Sequence, residues 1–236
     1  MKKSKMSVLG LIGGTSWHST IEYYKYINQY VNNHFGDNTN PPLLVYTLNQ
    51  SLIHRYQIEA NWNGIADLLI HAGKSLKNAG AEMLMFCANT PHKVYDDVKQ
   101  KIDVPILHIA DATAEAINSI DITKVCFLGT KYTMLEDFVT KRIADNHIEV
   151  YTPKEKTTID ELHRIIQKEL TYGKIIAPSK AYVIQVIQSM LDIGAEAVVL
   201  GCTEFPLMIR ENDLDIPILN TTEIHARAGA EFILNA

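Results

Sequence analysis

"GAEMLMFCANTP" (residues 80–91) and "GAEAVVLGCTEFP" (residues 194–206) decide the fold of this 236-residue chain. Each opens on Gly-Ala-Glu, runs through apolar residues to a cysteine, and turns polar before a proline that suits the first turn of a helix. Short apolar runs bounded by such turn residues read as strands buried on both faces, the kind found in parallel sheets. The likeness extends outward in both directions. "DVPIL" (103–107) recurs as "DIPIL" (215–219), and "LGLIGGTSW" (9–17) has a counterpart in "VCFLGTKYT" (125–133), a strand ending in glycine and then hydroxyl residues. One duplication at this distance is too long a period for a solenoid and describes two similar halves.

Strands are expected at 7–12, 43–48, 82–87, 104–109, 124–128, 148–151, 196–200 and 216–219, and helices near 17–33, 61–79, 91–100, 111–119, 132–145, 158–171, 178–193 and 222–234. Such alternation builds crossover units, so the fold class is α/β with parallel sheets covered by helices. Ligands of these sheets bind at the carboxyl ends of the strands. Apolar residues make up 47% of the chain and charged residues 21%, a globular balance. A net charge of −5 gives no electrostatic reason for a nucleic-acid or membrane partner, and no apolar run reaches membrane-spanning length. Three cysteines without framework spacing point to free thiols in a reducing compartment, and "SVLGLI" after the basic start reads as a first strand rather than a signal peptide. The expected location is cytoplasmic. No compact histidine or cysteine cluster suggests a metal, and "GLIGG" lacks the spacing of a nucleotide loop.

Of the three cysteines, Cys126 sits mid-strand and reads as a small buried hydrophobe. Cys202 stands where a strand must stop, between Gly201 and Thr203-Glu204, with a helix beginning near Pro206. A thiol at a helix N-terminus is expected to have a lowered pKa and more thiolate near neutral pH.

"GLIGGTSWHST" (10–20), "CANTPHKV" (87–94), "LHIADAT" (107–113), "LGTKYTM" (128–134) and "LGCTEFPL" (200–207) together resemble the aspartate/glutamate racemase family, over essentially the whole chain. "GCTE" in place of "GCTH" is closer to the aspartate and broad-specificity amino-acid racemases than to the cell-wall glutamate racemases. The resemblance implies a pyridoxal-independent isomerase without cofactor, acting on aspartate, glutamate or a broader set of amino acids. It also implies two pseudo-twofold-related α/β domains with the active site in the cleft between them. The C-terminal segment would return to the first domain, giving 1–104 plus 216–236 and 105–215 as the expected division. A small-molecule amino acid is the expected partner, and a homodimer the expected assembly.

Racemisation removes the α-hydrogen from one face and delivers a proton to the other, so two acid/base groups flank the carbon. Cys202 is the expected group of the second half. Without a gap, "GAE" to "GAE", Cys202 aligns with Ala88, Gly201 with Cys87 and Thr203 with Asn89. The family's first catalytic residue also precedes "NT", which again falls on Ala88, a side chain with no proton to give. Neighbours on an extended strand point to opposite sides, so Cys87 is a catalytic candidate only if the strand end is distorted. Helix N-termini after "GGTS", "ANTP" and "CTEF" offer backbone N–H groups for a carboxylate. Thr15, Ser16, Asn89, Thr90, Thr130 and Thr203 are cradle candidates that would also serve as ordinary helix caps. Glu204 joins them. The resemblance adds Asn49 and Gln57 as side-chain contacts and Glu169 near the substrate; Lys131, after Gly129-Thr130, reads either as a solvated loop lysine or as a contact for an acidic side chain. His92 reads as a structural residue. Two other readings follow from Ala88: a single-cysteine lyase or decarboxylase of the arylmalonate decarboxylase type, and a binding protein without catalysis.

Overall fold

The computed structural model describes residues 5–235; residues 1–4 and 236, which belong to the expected first domain, lie outside them. The chain divides into two compact units, one running to His108 and resuming at His225, the other spanning Ile109–Ile224.

The first unit contains β1 (Leu9–Gly13), α1 (Trp17–Phe35), β2 (Leu43–Thr47), α2 (Gln50–Ile58), α3 (Trp62–Asn78), β3 (Met83–Phe86), α4 (Tyr95–Lys99) and β4 (Ile106–Leu107). The second contains α5 (Ile109–Asn118), β5 (Lys124–Gly129), α6 (Lys131–Leu135), α7 (Asp137–Ala144), β6 (Glu149–Tyr151), α8 (Lys156–Lys168), α9 (Ala177–Leu191), β7 (Ala197–Gly201), α10 (Phe205–Met208) and β8 (Ile218–Asn220). The closing helix α11 (Thr221–Leu234) starts in the second unit and continues into the first. Both sheets are parallel and four-stranded, with orders β2-β1-β3-β4 and β6-β5-β7-β8. The two orders are the same arrangement. The chain leaves the first unit after β4, which pairs with β3, and leaves the second after β8, which pairs with β7. That pairing sets the crossings at 108/109 and 224/225, later than the 104/105 and 215/216 expected from sequence.

The Gly-Ala-Glu repeat performs the same three tasks in each unit. Gly80 and Gly194 have φ of 102° and 110°, a region that side chains with a Cβ avoid, and each ends a helix. The Ala81 N–H then reaches back to the Leu76 carbonyl at 3.0 Å and the Ala195 N–H to that of Met190 at 3.1 Å, closing the last turn. The Glu82 carboxylate accepts from the Val8 N–H at 3.0 Å, and that of Glu196 from the Thr123 and Lys124 N–H groups at 3.1 and 3.0 Å. The repeat therefore stops a helix, starts a strand and sets that strand's register against its neighbour.

Strand alternation feeds two apolar layers in the first unit. Leu84 and Phe86 pack with Ile12, Leu69, Leu76 and Val98 on one face of the sheet, whereas Met85 and Cys87 pack with Leu9, Leu11, Tyr23, Ile27, Ala226 and Ala230 on the other. The returning part of α11 thus completes the core beneath α1. Three helices depart from expectation, among them the one expected at 91–100, which divides into a 3-10 turn over Thr90–Val94 and α4. Residues 50–58 fold as α2, and the stretch expected as a single helix over 132–145 breaks at Glu136, whose backbone is extended.

α11 also brings His225 into a buried polar cluster. Its Nε2 lies 3.1 Å from the Leu107 carbonyl, which can only accept, so Nε2 carries the proton and Nδ1 accepts from the Tyr23 hydroxyl at 2.8 Å. His92 and His108 lie in the same cluster, their rings tilted against each other with centroids 4.4 Å apart. Burial first, and the neighbouring His92 second, hold the His225 pKa well below its ordinary value. A base with a depressed folded pKa contributes fully above its unfolded value of about 6.5 and loses that contribution as pH falls below it. Stability measured by denaturant should therefore fall below pH ~6.5, by at most about 1.4 kcal/mol per unit from this one group. His225→Gln should flatten the slope; an unchanged slope would locate the acid sensitivity elsewhere.

Candidate active site

In each unit the strand order reverses between the first and third strands, β1 and β3 or β5 and β7, and sheets of this order bind ligands at the carboxyl ends of those strands. The chemistry-bearing residues stand there. In the second unit, Gly201 ends β7 and Cys202 follows. A Cβ at Gly201 would lie 2.0 Å from the Phe127 ring, so glycine lets that ring pack flat against the strand end just before the thiol. Cys202 is 5% exposed and Glu204 8% exposed. The Cys202 thiol donates to Glu204 Oε2 at 2.8 Å, and the Thr203 hydroxyl donates to the same oxygen at 2.8 Å.

This contact reverses the expectation for the thiol. Burial, followed by the charge of Glu204 and its hydrogen bond, raises the Cys202 pKa well above the ordinary thiol value. The backbone N–H groups of Glu204 and Phe205 act in the opposite sense and are outweighed. The helix that was to lower the pKa is α10, a single turn of four residues, too short to develop much of a macrodipole. Cys202 therefore rests as a thiol, and the Glu204 oxygen, expected to meet substrate, is turned onto it.

Other residues of the second unit lie at the end of β5 and beyond. Thr130 caps α6 through the Thr133 N–H at 3.4 Å. Lys131 begins that helix; its N–H faces His163 Nδ1 at 3.5 Å and its ammonium lies 5.2 Å from the centre of the Tyr132 ring. Burial, then the charge of Lys131, lowers the His163 pKa. Glu169 is buried, with Oε1 accepting from Arg164 at 2.8 Å and Oε2 enclosed without a hydrogen-bond partner. The 3-10 turn that follows Glu169 packs against α10. Sequence reasoning missed His163 and Arg164. Their helical spacing from Glu161 to Glu169 was legible, but nothing in it distinguishes a site from a solvated helix face.

In the first unit, Thr15 and Ser16 join β1 to α1. Ser16 holds the cap position of α1 but makes no side-chain cap; its hydroxyl oxygen is buried with no hydrogen-bond partner. An ordinary cap would be bonded, so this hydroxyl is a cradle candidate whose side chain is not spent on a cap. Asn49 does cap, accepting from Ser51 and Leu52 N–H groups at 3.0 and 3.3 Å, and α2 then carries Gln57 about 12 Å farther along its axis. The two expected side-chain contacts are thus separated by the helix that sequence reading overlooked. Asn89 and Thr90 are buried where β3 ends, at the start of a 3-10 turn over Thr90–Val94 rather than a full helix. Of the three helix N-termini expected to bind a carboxylate, only α1 is long.

Cys87 and Ala88 behave as alternation requires. Cys87 continues the Met85 side into the α1/α11 core, and burial drives its pKa far up. Ala88, 9% exposed, belongs to neither apolar layer of its unit. His92 Nδ1 donates to the Ala88 carbonyl at 3.0 Å and holds the turn, as its structural reading anticipates. Cys126 is a core side chain, its pKa pushed up to about 12 by burial. Among the described residues no three potential metal ligands gather, and no helix is long and apolar enough to cross a membrane.

Residues 12–229 match the family model described as Asp/Glu/Hydantoin racemase. The chain belongs to that family. An aspartate racemase homologue from Pyrococcus horikoshii OT3 is 38% identical, with 96% of this chain and 98% of that one aligned at a TM-score of 0.84. A Yersinia pestis structure described as a candidate Asp/Glu racemase is 41% identical, covering 97% and 100% of the two chains at a TM-score of 0.91. The broad-specificity amino-acid racemase RacX of Bacillus subtilis is 20% identical over 94% of this chain and 96% of its own length. Racemase-family folds carry two similar α/β domains, and the repeated sheet order found here agrees with that plan.

Proposed function

We propose that this chain catalyses cofactor-independent proton transfer at the α-carbon of an amino acid, with Cys202 as the proton-handling group. The observation that carries the reading is the Cys202 thiol bonded to a buried carboxylate at the end of β7, in a chain of the Asp/Glu/hydantoin racemase family. Aspartate, glutamate or a wider set of amino acids is the proposed substrate class, in line with the relatives' names. Within the first unit, the buried Ser16 hydroxyl and the N-terminal turn of α1 are the proposed contacts for an anionic group. Lys131 and the buried Glu169 carboxylate are the proposed contacts for the rest of the substrate. Three unpaired cysteines fit a reducing compartment, and the cytoplasm is the proposed location.

The Ala88 methyl can neither take nor give a proton, and Cys87 is committed to the core. Exchange served from the Cys202 face alone returns the proton to the side it left. Incubation of each enantiomer of a panel of amino acids in deuterated water, followed by proton NMR and chiral analysis, tests this. Exchange of the α-hydrogen with retention, outpacing racemisation, is the expected result for one enantiomer. No exchange with any amino acid overturns the proposal. Release of carbon dioxide from substituted malonates would instead favour the single-thiol lyase, the reading that Ala88 also motivates.

A further inference from the structure

We propose that the second unit binds a free amino acid with an apolar side chain, as a zwitterion, in a cavity between α9 and the turn that leads from β6 into α8. The site is separate from the chemistry at Cys202 and is built from different residues. Tyr182, Val186 and Met190 recur at helical spacing on α9 and line one side of a cavity of about 260 Å³. Val186 is buried, and Tyr182 and Met190 pack against the core of the unit, so this apolar floor is fixed before any ligand arrives. The facing wall is the turn Pro153, Lys154 and Glu155. Pro153 is buried, whereas Lys154 and Glu155 are exposed.

The charges decide the ligand class. Glu155 holds the cap position of α8 with an extended backbone, and its side chain makes no cap. Consecutive residues of an extended segment diverge, so Lys154 and Glu155 flank the opening instead of pairing with each other. None of the described ion pairs includes either one, while the next lysine, Lys156, is paired with Asp160 at 3.2 Å. A mouth with one ammonium and one carboxylate beside an apolar floor matches a molecule that carries a carboxylate, an ammonium and an apolar group on a single carbon. An α-amino acid is that molecule. A simple carboxylic acid or a simple amine would gain one of the two charges and be repelled by the other. The cavity is slightly smaller than the ~300–1,000 Å³ of drug-sized pockets, which suits a single amino acid and is too small for a peptide. A ligand held there touches both the start of α8 and the middle of α9, so binding should also raise the thermal midpoint.

Titration of the isotope-labelled protein with L-phenylalanine, followed by backbone amide NMR, tests the site. Saturable shifts centred on residues 153–158 and 182–190 are expected, with a Kd of about 1 mM, the scale open to a ligand of about twelve non-hydrogen atoms. Phenylpropionate, which lacks the ammonium, and phenethylamine, which lacks the carboxylate, should each bind about tenfold more weakly. L-Aspartate, with no apolar group for the floor, should leave these amides in place. Gln185→Trp fills the mouth from α9, and Lys154→Glu reverses one of its charges. Both positions are exposed, so either variant should melt near the parent and lose the shifts. Cys202→Ser should keep them. Amides of this region that ignore L-phenylalanine overturn the proposal, as do shifts that survive in either folded variant. Equal binding of the three aromatic ligands would overturn recognition of a zwitterion. Shifts lost with Cys202→Ser would place the amino acid at the thiol, and the proposal would fall with them.

Discussion

Cys202→Ser should abolish α-hydrogen exchange while leaving the fold in place. The substitution is nearly isosteric, and a hydroxyl can keep the hydrogen bond to Glu204 Oε2 that the thiol makes at 2.8 Å. What changes is acidity. A serine hydroxyl is far less acidic than a thiol, and the burial and adjacent carboxylate that already oppose ionisation of Cys202 would oppose an alkoxide more strongly still. Ionising the hydroxyl would then be strongly uphill, and the carbon acid would face no competent base. The expected loss is at least the ~10²–10⁴-fold typical of a general acid/base group. A thermal melt matching the parent, alongside exchange lost from the NMR assay, is the expected pair of results. Exchange at the parent rate in the serine variant would remove the thiol from the mechanism.

The same residue marks where sequence reading reached and where it stopped. The strands were legible because each is a short apolar run between turn residues; β3 and β7 fall within a residue or two of expectation. The paired "GAE" motifs were legible as a repeat, and their common task became visible only with the positive φ of Gly80 and Gly194 and the carboxylate bonds of Glu82 and Glu196. α2 was missed because "QSLIHRYQI" buries only Ile53, so its apolar pattern is too thin to signal a helix. The pKa of Cys202 was misjudged for a different reason. Sequence offers the local term, a nearby helix start, but burial and the turning of Glu204 onto the sulfur are tertiary facts. Ser16 shows the converse: sequence alone leaves cap and ligand roles indistinguishable, and the missing cap bond separates them. Asn49, equally suited to either role by type, spends its side-chain oxygen on the cap.

Ala88→Cys should convert one-faced exchange into racemisation. The gapless repeat places Ala88 in the position that Cys202 occupies in the other half, and the structure keeps the parallel: each follows the last residue or two of the third strand of its sheet, where the backbone turns polar. Its methyl lies outside both apolar layers, and the His92 ring steadies its carbonyl. One added sulfur at a 9% exposed position risks overpacking of about 1–3 kcal/mol, so the variant's melt must accompany its kinetics. Under the proposed division of labour, with each half serving one face of the α-carbon, a second thiol at this position should raise racemisation about 10²–10⁴-fold over the parent and leave exchange served by Cys202 little changed. Cys87→Ala, made in parallel, should leave exchange and racemisation near parental values, because that thiol packs with Met85 and Tyr23 beneath α1. The opposite pattern is just as readable. Racemisation lost with Cys87→Ala and unmoved by Ala88→Cys would mean that the end of β3 turns over during the reaction, and that the repeat register does not describe the working site.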